Sequence, residues 1–304
     1  MYDFSKNEWG LVLAGGGGKG AYQAGVFRAL AEKRILDYIT AISGASVGAL
    51  NLLMYATGEV EKAQNIWKSI SPEQFLSINT SINGLEDGFL SRKGIEDIID
   101  KYVDLDIIRD SEKSLYVSTT ELSETGEEKV KYFSLNYRQN KQIKDIILAS
   151  AALPIIYSAV EIEGKLYRDG GLTDNLPIRP LYIEGIRNFI VVGLSTHTEI
   201  DYSRYPGCNF LFIKPRKSIG DFFDGTLDFT SRGAKTRMEI GYLDAIRELE
   251  FFGREDSASR REYEMAAAND YLKIDYMSRQ NNLEDSINSE INKINSLFNK
   301  YLQD

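Results

Sequence analysis

Residues 41–51, AISGASVGALN, decide how the chain begins to fold. A short apolar run stops at Gly44-Ala45-Ser46-Val47-Gly48 and a second apolar run starts at once. Small residues on both sides of Ser46 allow a sharp turn between a strand and a helix. Such a turn lifts the serine hydroxyl clear of the backbone. Working outward, WGLVLA at 9–14 reads as a buried strand, and 20–34 as a helix whose apolar face carries Ala24, Phe27, Leu30 and Ala31. A second strand at 38–43 feeds the serine turn, and a helix follows over about 47–57. Strand, helix, strand, helix in this order specifies an α/β sheet with parallel strands.

Farther along, LYVSTTEL (115–122) and KVKYFSL (129–135) read as paired strands, and a helix near 141–151 ends before Pro154. AVEIEGKLYRDGG (159–171) alternates like a hairpin turning at Glu163-Gly164. NFIVVGLS (188–195) and NFLFIKP (209–215) read as buried strands. Beyond these the pattern is helical, over 226–252, 258–279 and 283–302. The last of these sets Leu283, Ile287, Ile291, Ile294 and Phe298 on one face for packing onto the body.

Composition narrows the function. The 304 residues carry 43% hydrophobic side chains, ample for a core, and a formal charge of −9. That charge, with no clustered Lys and Arg, argues against a nucleic-acid partner. One cysteine, Cys208, leaves no intramolecular disulfide, and with His197 the only histidine, a zinc site built from those ligands is excluded. Acidic residues precede the first short apolar run, unlike a secretory signal, so the expected location is cytoplasmic. Tyr38 to Gly58 holds no charged residue, but its Ser, Thr, Asn and Gly content favours a strand, turn and helix over a membrane span.

Gly15 to Gly20, GGGGKG, contains G-x-G-x-x-G between a strand and a helix, which makes a dinucleotide-binding, Rossmann-like protein a rival reading. That reading needs an acidic residue at the end of the next strand, which ends instead at Ser43-Gly44. A glycine loop at a helix start also suits an oxyanion hole, because bare N–H groups and the helix dipole meet negative charge there. Gly16 and Gly17 are the expected donors. Lys19 could add electrostatic support or simply be a solvated charge at the helix start. Arg168-Asp169-Gly170-Gly171 ends the 159–168 hairpin with a carboxylate on backbone free to turn. Asp174 and Asn175, within TDNLP, read as turn residues.

GGGGKGAYQAGVFRAL, GASVGALN and ASAALPIIYSAVEIEGKLYRDGGLTDNLP, in this order and at fitting distances, resemble the patatin-like phospholipases of bacterial type. The resemblance is dense from about residue 9 to 195. It implies a three-layer α/β/α fold with a mostly parallel central sheet, with residues 1–250 as the acyl hydrolase domain. The resemblance stops at about residue 250, and the helical pattern of 251–304, which carries no motif for chemistry, is expected to form a C-terminal extension that packs on the body or mediates self-association into a homo-oligomer. The resemblance also implies hydrolysis of phospholipid or lysophospholipid acyl esters by a Ser-Asp dyad, with no cofactor and no metal. The nucleophile falls on Ser46, the general base on Asp169 and the oxyanion glycines on Gly15, Gly16 and Gly17. At Lys19 arginine is usual, and lysine lacks its planar fork. Burial would raise the Asp169 pKa enough to make it a useful base. A patatin fold that is catalytically idle and serves as an interaction module is the remaining alternative. Lipid contact is expected to be transient and peripheral. Leu211, Phe212, Lys214, Arg216, Lys217, Phe222 and Phe223 mix apolar and basic character in one stretch, which suits a docking surface.

Overall fold

The structure, a computed structural model, describes residues 2–71, 92–123, 126–254 and 257–301. The chain separates into two compact units, Met1–Gly253 and Arg254–Asp304. In the first, the described strands are β1 Trp9–Leu13, β2 Ile39–Ala45, β3 Ser114–Leu122, β4 Glu128–Ser134, β5 Val160–Ile162, β6 Lys165–Asp169, β7 Asn188–Val192 and β8 Asn209–Ile213. The described helices are α1 Ala21–Glu32, α2 Val47–Thr57, α3 Val60–Ser69, α4 Lys93–Tyr102, α5 Leu105–Arg109, α6 Asn140–Ser150, α7 Ile178–Ile183 and α8 Ser231–Phe251. Among its described residues the second unit has one helix, α9 Ser257–Tyr301.

The strands form one sheet in the order β5-β6-β3-β2-β1-β7-β8, with β4 on the outer edge of β3. From β3 to β8 all neighbours run parallel, while β4, β5 and β6 pair antiparallel. Side chains alternate across the sheet as the two-residue period of a strand requires. Leu11, Leu13, Ile42, Ile190, Val192, Leu211 and Ile213 enter the larger core with α1, α2, α6 and α8. Val12, Ala41, Phe189 and Val191 face a smaller one with Ile178 and Leu181 of α7. Helices on both faces of a mostly parallel sheet make three layers, the expected fold.

β3 is the strand that arranges the rest. Its first half pairs with β2 through Ala45↔Ser118, and its second half offers the same edge to β6 through Asp169↔Thr119. The carboxyl ends of β2 and β6 therefore meet end to end on consecutive residues of β3.

Two sequence expectations change. The helices predicted over 258–279 and 283–302 are one continuous helix, since nothing between them breaks the backbone hydrogen-bonding pattern. On it Leu283, Ile287 and Ile291 are exposed. The helix expected to begin at 226 begins at Ser231, because Thr230 caps it by accepting the Gly233 N–H. The uncharged stretch 38–58 is β2 and α2, and no described helix is long and apolar enough to cross a membrane.

Candidate active site

Ser46 is the single residue between β2 and α2, and its backbone sits at φ +53, ψ −123. A non-glycine residue in that region is strained by about 1–3 kcal/mol and persists only where its surroundings impose it. The two flanking glycines show what does so. A Cβ on Gly44 would overlap the Gly48 carbonyl, and one on Gly48 would overlap the Leu13 carbonyl. The turn is thus packed backbone to backbone. Ser46 N–H donates to Ser150 Oγ (2.9 Å), and Ser150 donates in turn to Ser118 O (2.8 Å), tying the turn to α6 and β3.

Asp169 ends β6 beside this turn. It is buried, its Oδ1 accepts the Gly171 N–H at 2.8 Å, and its carboxylate also takes the Ser46 hydroxyl as a partner. Burial pushes its pKa up from 3.8 to about 6, against the lowering effect of those two hydrogen bonds. Desolvation wins because the rest of its surroundings is protein.

The glycine loop closes the third side. Gly17–Gly20 is a short 3-10 turn leading into α1, so its first N–H groups lack intrahelical acceptors. Gly15 N–H donates to Asn175 Oδ1 (2.9 Å), so this N–H is already engaged while Gly16 and Gly17 stand at the head of the turn. Gly17 has φ +56, and a Cβ there would strike the Thr226 carbonyl. The loop needs glycine because the 226–228 segment packs directly on it. Gln23 Nε2 holds Ala14 O (2.9 Å) and Asn51 Nδ2 holds Gly20 O (3.0 Å), fastening both ends of the loop.

Ser46, Asp169 and the three glycines all line one cavity of about 260 Å³. Its remaining walls are mainly apolar, including Leu50, Ile95, Leu153, Ile156, Leu227 and Phe229. Lys19 is not among the lining residues. It lies near Gly225, Asp221, Asp224 and Arg237, with its pKa lowered first by burial and then by Arg237. His197 is exposed in the turn after β7 and does not line the cavity. Asp174 is a turn residue, accepting the Leu176 N–H and the Tyr132 hydroxyl. Asn175 does more than turn the chain, since it grips Gly15. Sequence reasoning missed this, along with Ser150, Gln23 and Asn51. A polar residue inside the apolar run ALNLLMY was the available signal for Asn51.

Sheet and turn together define a three-layer α/β/α protein built round a serine turn of the kind that carries nucleophiles. Residues 11–182, more than half of the chain, match the Patatin-like phospholipase family, and the chain belongs to that family. An NTE-family protein of Mycobacterium bovis is 29% identical over 188 residues, covering 61% of this chain and 48% of that protein. Lysophospholipase nte1 of Aspergillus terreus is 27% identical over 182 residues, covering 56% of this chain and 11% of that one. The chain thus spans about half the length of the first relative and about a tenth of the second. Among solved structures, VipD from Legionella pneumophila aligns with a TM-score of 0.36 and 16% identity over 88% of this chain and 74% of its own.

Proposed function

We propose that the protein is a serine lipid acyl hydrolase that cleaves phospholipid or lysophospholipid acyl esters through Ser46 and Asp169. The observation that carries this reading is the strained Ser46 facing a buried Asp169 whose pKa is raised to about 6, both opening into an apolar cavity. A carboxylate with a raised pKa is a better base at neutral pH, and an apolar cavity suits an acyl chain.

On this reading Ser46 Oγ attacks the acyl carbonyl carbon as its proton passes to Asp169. The negative oxygen that forms is held by the N–H groups of Gly16 and Gly17, where loss of one donor ordinarily costs about 10²–10³ in rate. Collapse breaks the ester C–O bond, and Asp169 gives its proton to the departing alcohol, leaving an acyl-Ser46 ester. Asp169 then takes a proton from water as that water attacks the acyl carbon. The second intermediate expels Ser46, which recovers the proton, and the fatty acid leaves. A carboxylate serves as base throughout, so no imidazole is required. Gly15, whose N–H is committed to Asn175, shapes the loop. Lys19 contributes at most a screened field.

We assign this chemistry to residues 1–250, in the cytoplasm with transient peripheral contact on membranes, and self-association to the helical extension, α9. Support for the lipid class comes from the family and from the name of the Aspergillus lysophospholipase.

Fluorophosphonate labelling tests the reading. Wild type should carry the label on Ser46, Ser46→Ala should not, and His197→Ala should stay labelled and hydrolyse both lipid classes. A wild type that takes no label and cleaves neither lipid favours the idle interaction module. A folded but dead His197→Ala replaces the dyad with a triad.

A further inference from the structure

Four exposed apolar side chains belong to segments that also line the cavity. Ile155 is 74% exposed and adjoins the lining residue Ile156; Leu172 is 43% exposed and lines the cavity itself. Phe222 and Phe223 are 46% and 78% exposed, packed edge to face at 5.5 Å, on the turn that continues into the lining residues Thr226 and Leu227. Large apolar groups held in water near a cavity need an explanation that scattered surface residues do not.

Two features show that these groups are held outward. Ile155 has φ +71, a true outlier for a β-branched residue, so its outward position is maintained against backbone strain. The Phe222–Thr226 turn is pinned on both sides by buried Arg237, which donates to Ile219 O (3.0 Å), Asp224 O (2.5 Å), Asp228 O (3.1 Å) and the Asp228 carboxylate (2.8 Å). These bonds fix the backbone of the turn with both phenylalanines exposed. Of the stretch expected to dock, Phe222, Phe223, Arg216 and Lys217 are exposed, while its other residues are tied to the body. Leu211 is buried in β8, and Lys214 donates to Thr196 O (3.1 Å) and Thr198 O (2.7 Å).

We infer that Ile155, Leu172, Phe222 and Phe223 form an apolar collar that seats the cavity mouth on a zwitterionic phospholipid surface, so that an acyl chain enters without crossing water. This deepens the acyl hydrolase reading and rests on it for its purpose. The occupant is a lipid surface because the segments that carry these side chains also line the apolar cavity that an acyl chain must enter. It is zwitterionic because the protein carries −9 overall, and beside the phenylalanines Asp221 and Asp224 offset the exposed Arg216 and Lys217, leaving no net positive charge to select an anionic surface.

Binding is measured by co-sedimentation with phosphatidylcholine vesicles, in a Ser46→Ala background so that the lipid stays intact. Phe222→Ser/Phe223→Ser should lower partitioning by roughly a hundredfold, about tenfold for each buried phenylalanine. With Ser46 restored, the double variant should keep hydrolysis of a soluble short-chain ester and fluorophosphonate labelling within about twofold of wild type, since neither residue lines the cavity. Ile155→Asn is the second variant. Asparagine tolerates a positive φ, so its melting temperature should rise while vesicle partitioning falls about tenfold. A merely structural Ile155 would give the opposite change in melting temperature. Unchanged partitioning in both variants overturns the collar, as does binding that requires phosphatidylserine and vanishes with salt. If labelling and ester hydrolysis are absent in wild type, the hydrolase reading fails, and the vesicle measurement still decides the collar.

Discussion

Replacing Asp169 by Asn should make the protein more stable at neutral pH while removing its activity. In the folded chain burial raises the carboxyl from 3.8 to about 6. Keeping it ionised in the native state therefore costs about 3 kcal/mol, at about 1.4 kcal/mol per pKa unit. The sign follows from linkage. The folded state holds the proton more tightly than the unfolded chain. Protonation thus contributes stability that is fully present below about pH 3.8 and is lost as pH rises through about 6. Above that the full cost remains. Asparagine has no charge to desolvate and keeps an oxygen for the Gly171 N–H. The variant should gain up to about 3 kcal/mol at pH 8, roughly 6–12 °C in melting temperature for a body of this size. The gain should shrink to below about 1 kcal/mol at pH 4. Ester hydrolysis should fall by several orders of magnitude, on the order of the loss when a general base is removed. Circular dichroism melts at pH 8 and pH 4 with parallel ester assays measure both. An Asn variant less stable than wild type at pH 8, or one that keeps substantial activity, would refute the reasoning.

Hydrolysis of a soluble ester should drop as pH falls through about 6, reaching about a tenth near pH 5, because the base must be ionised. The profile tests the burial of Asp169, and the His197 variant tests the identity of the base. Asn175→Ala frees Gly15 and should lower the rate by about 10–100-fold with Ser46 still labelled, checked by labelling rate beside turnover. Truncation after Gly253 should leave Ser46 reactive, since every residue assigned to the chemistry lies before it; size-exclusion chromatography of both forms then reports whether the helical extension carries self-association.

Much of the first unit was legible in the sequence because its signals are local. The helix expected over 47–57 is Val47–Thr57, and the hairpin turning at Glu163-Gly164 lies between β5 and β6. Apolar period and turn chemistry specify such elements without reference to the rest of the chain. The glycines of GASVG announced a tight turn for the same reason, since only a residue without Cβ admits backbone at that distance. What no local signal could state is which strands share an edge. Ser46 and Asp169 become neighbours because β3 is long enough to pair with β2 along one half and with β6 along the other. That choice depends on how whole faces of the sheet bury against α6 and α8. The elevated pKa of Asp169, the engagement of Gly15 by Asn175 and the outward hold on Phe222 and Phe223 arise at the same level. Each depends on desolvation or on a partner distant in sequence, and these come into being only once the layers have closed.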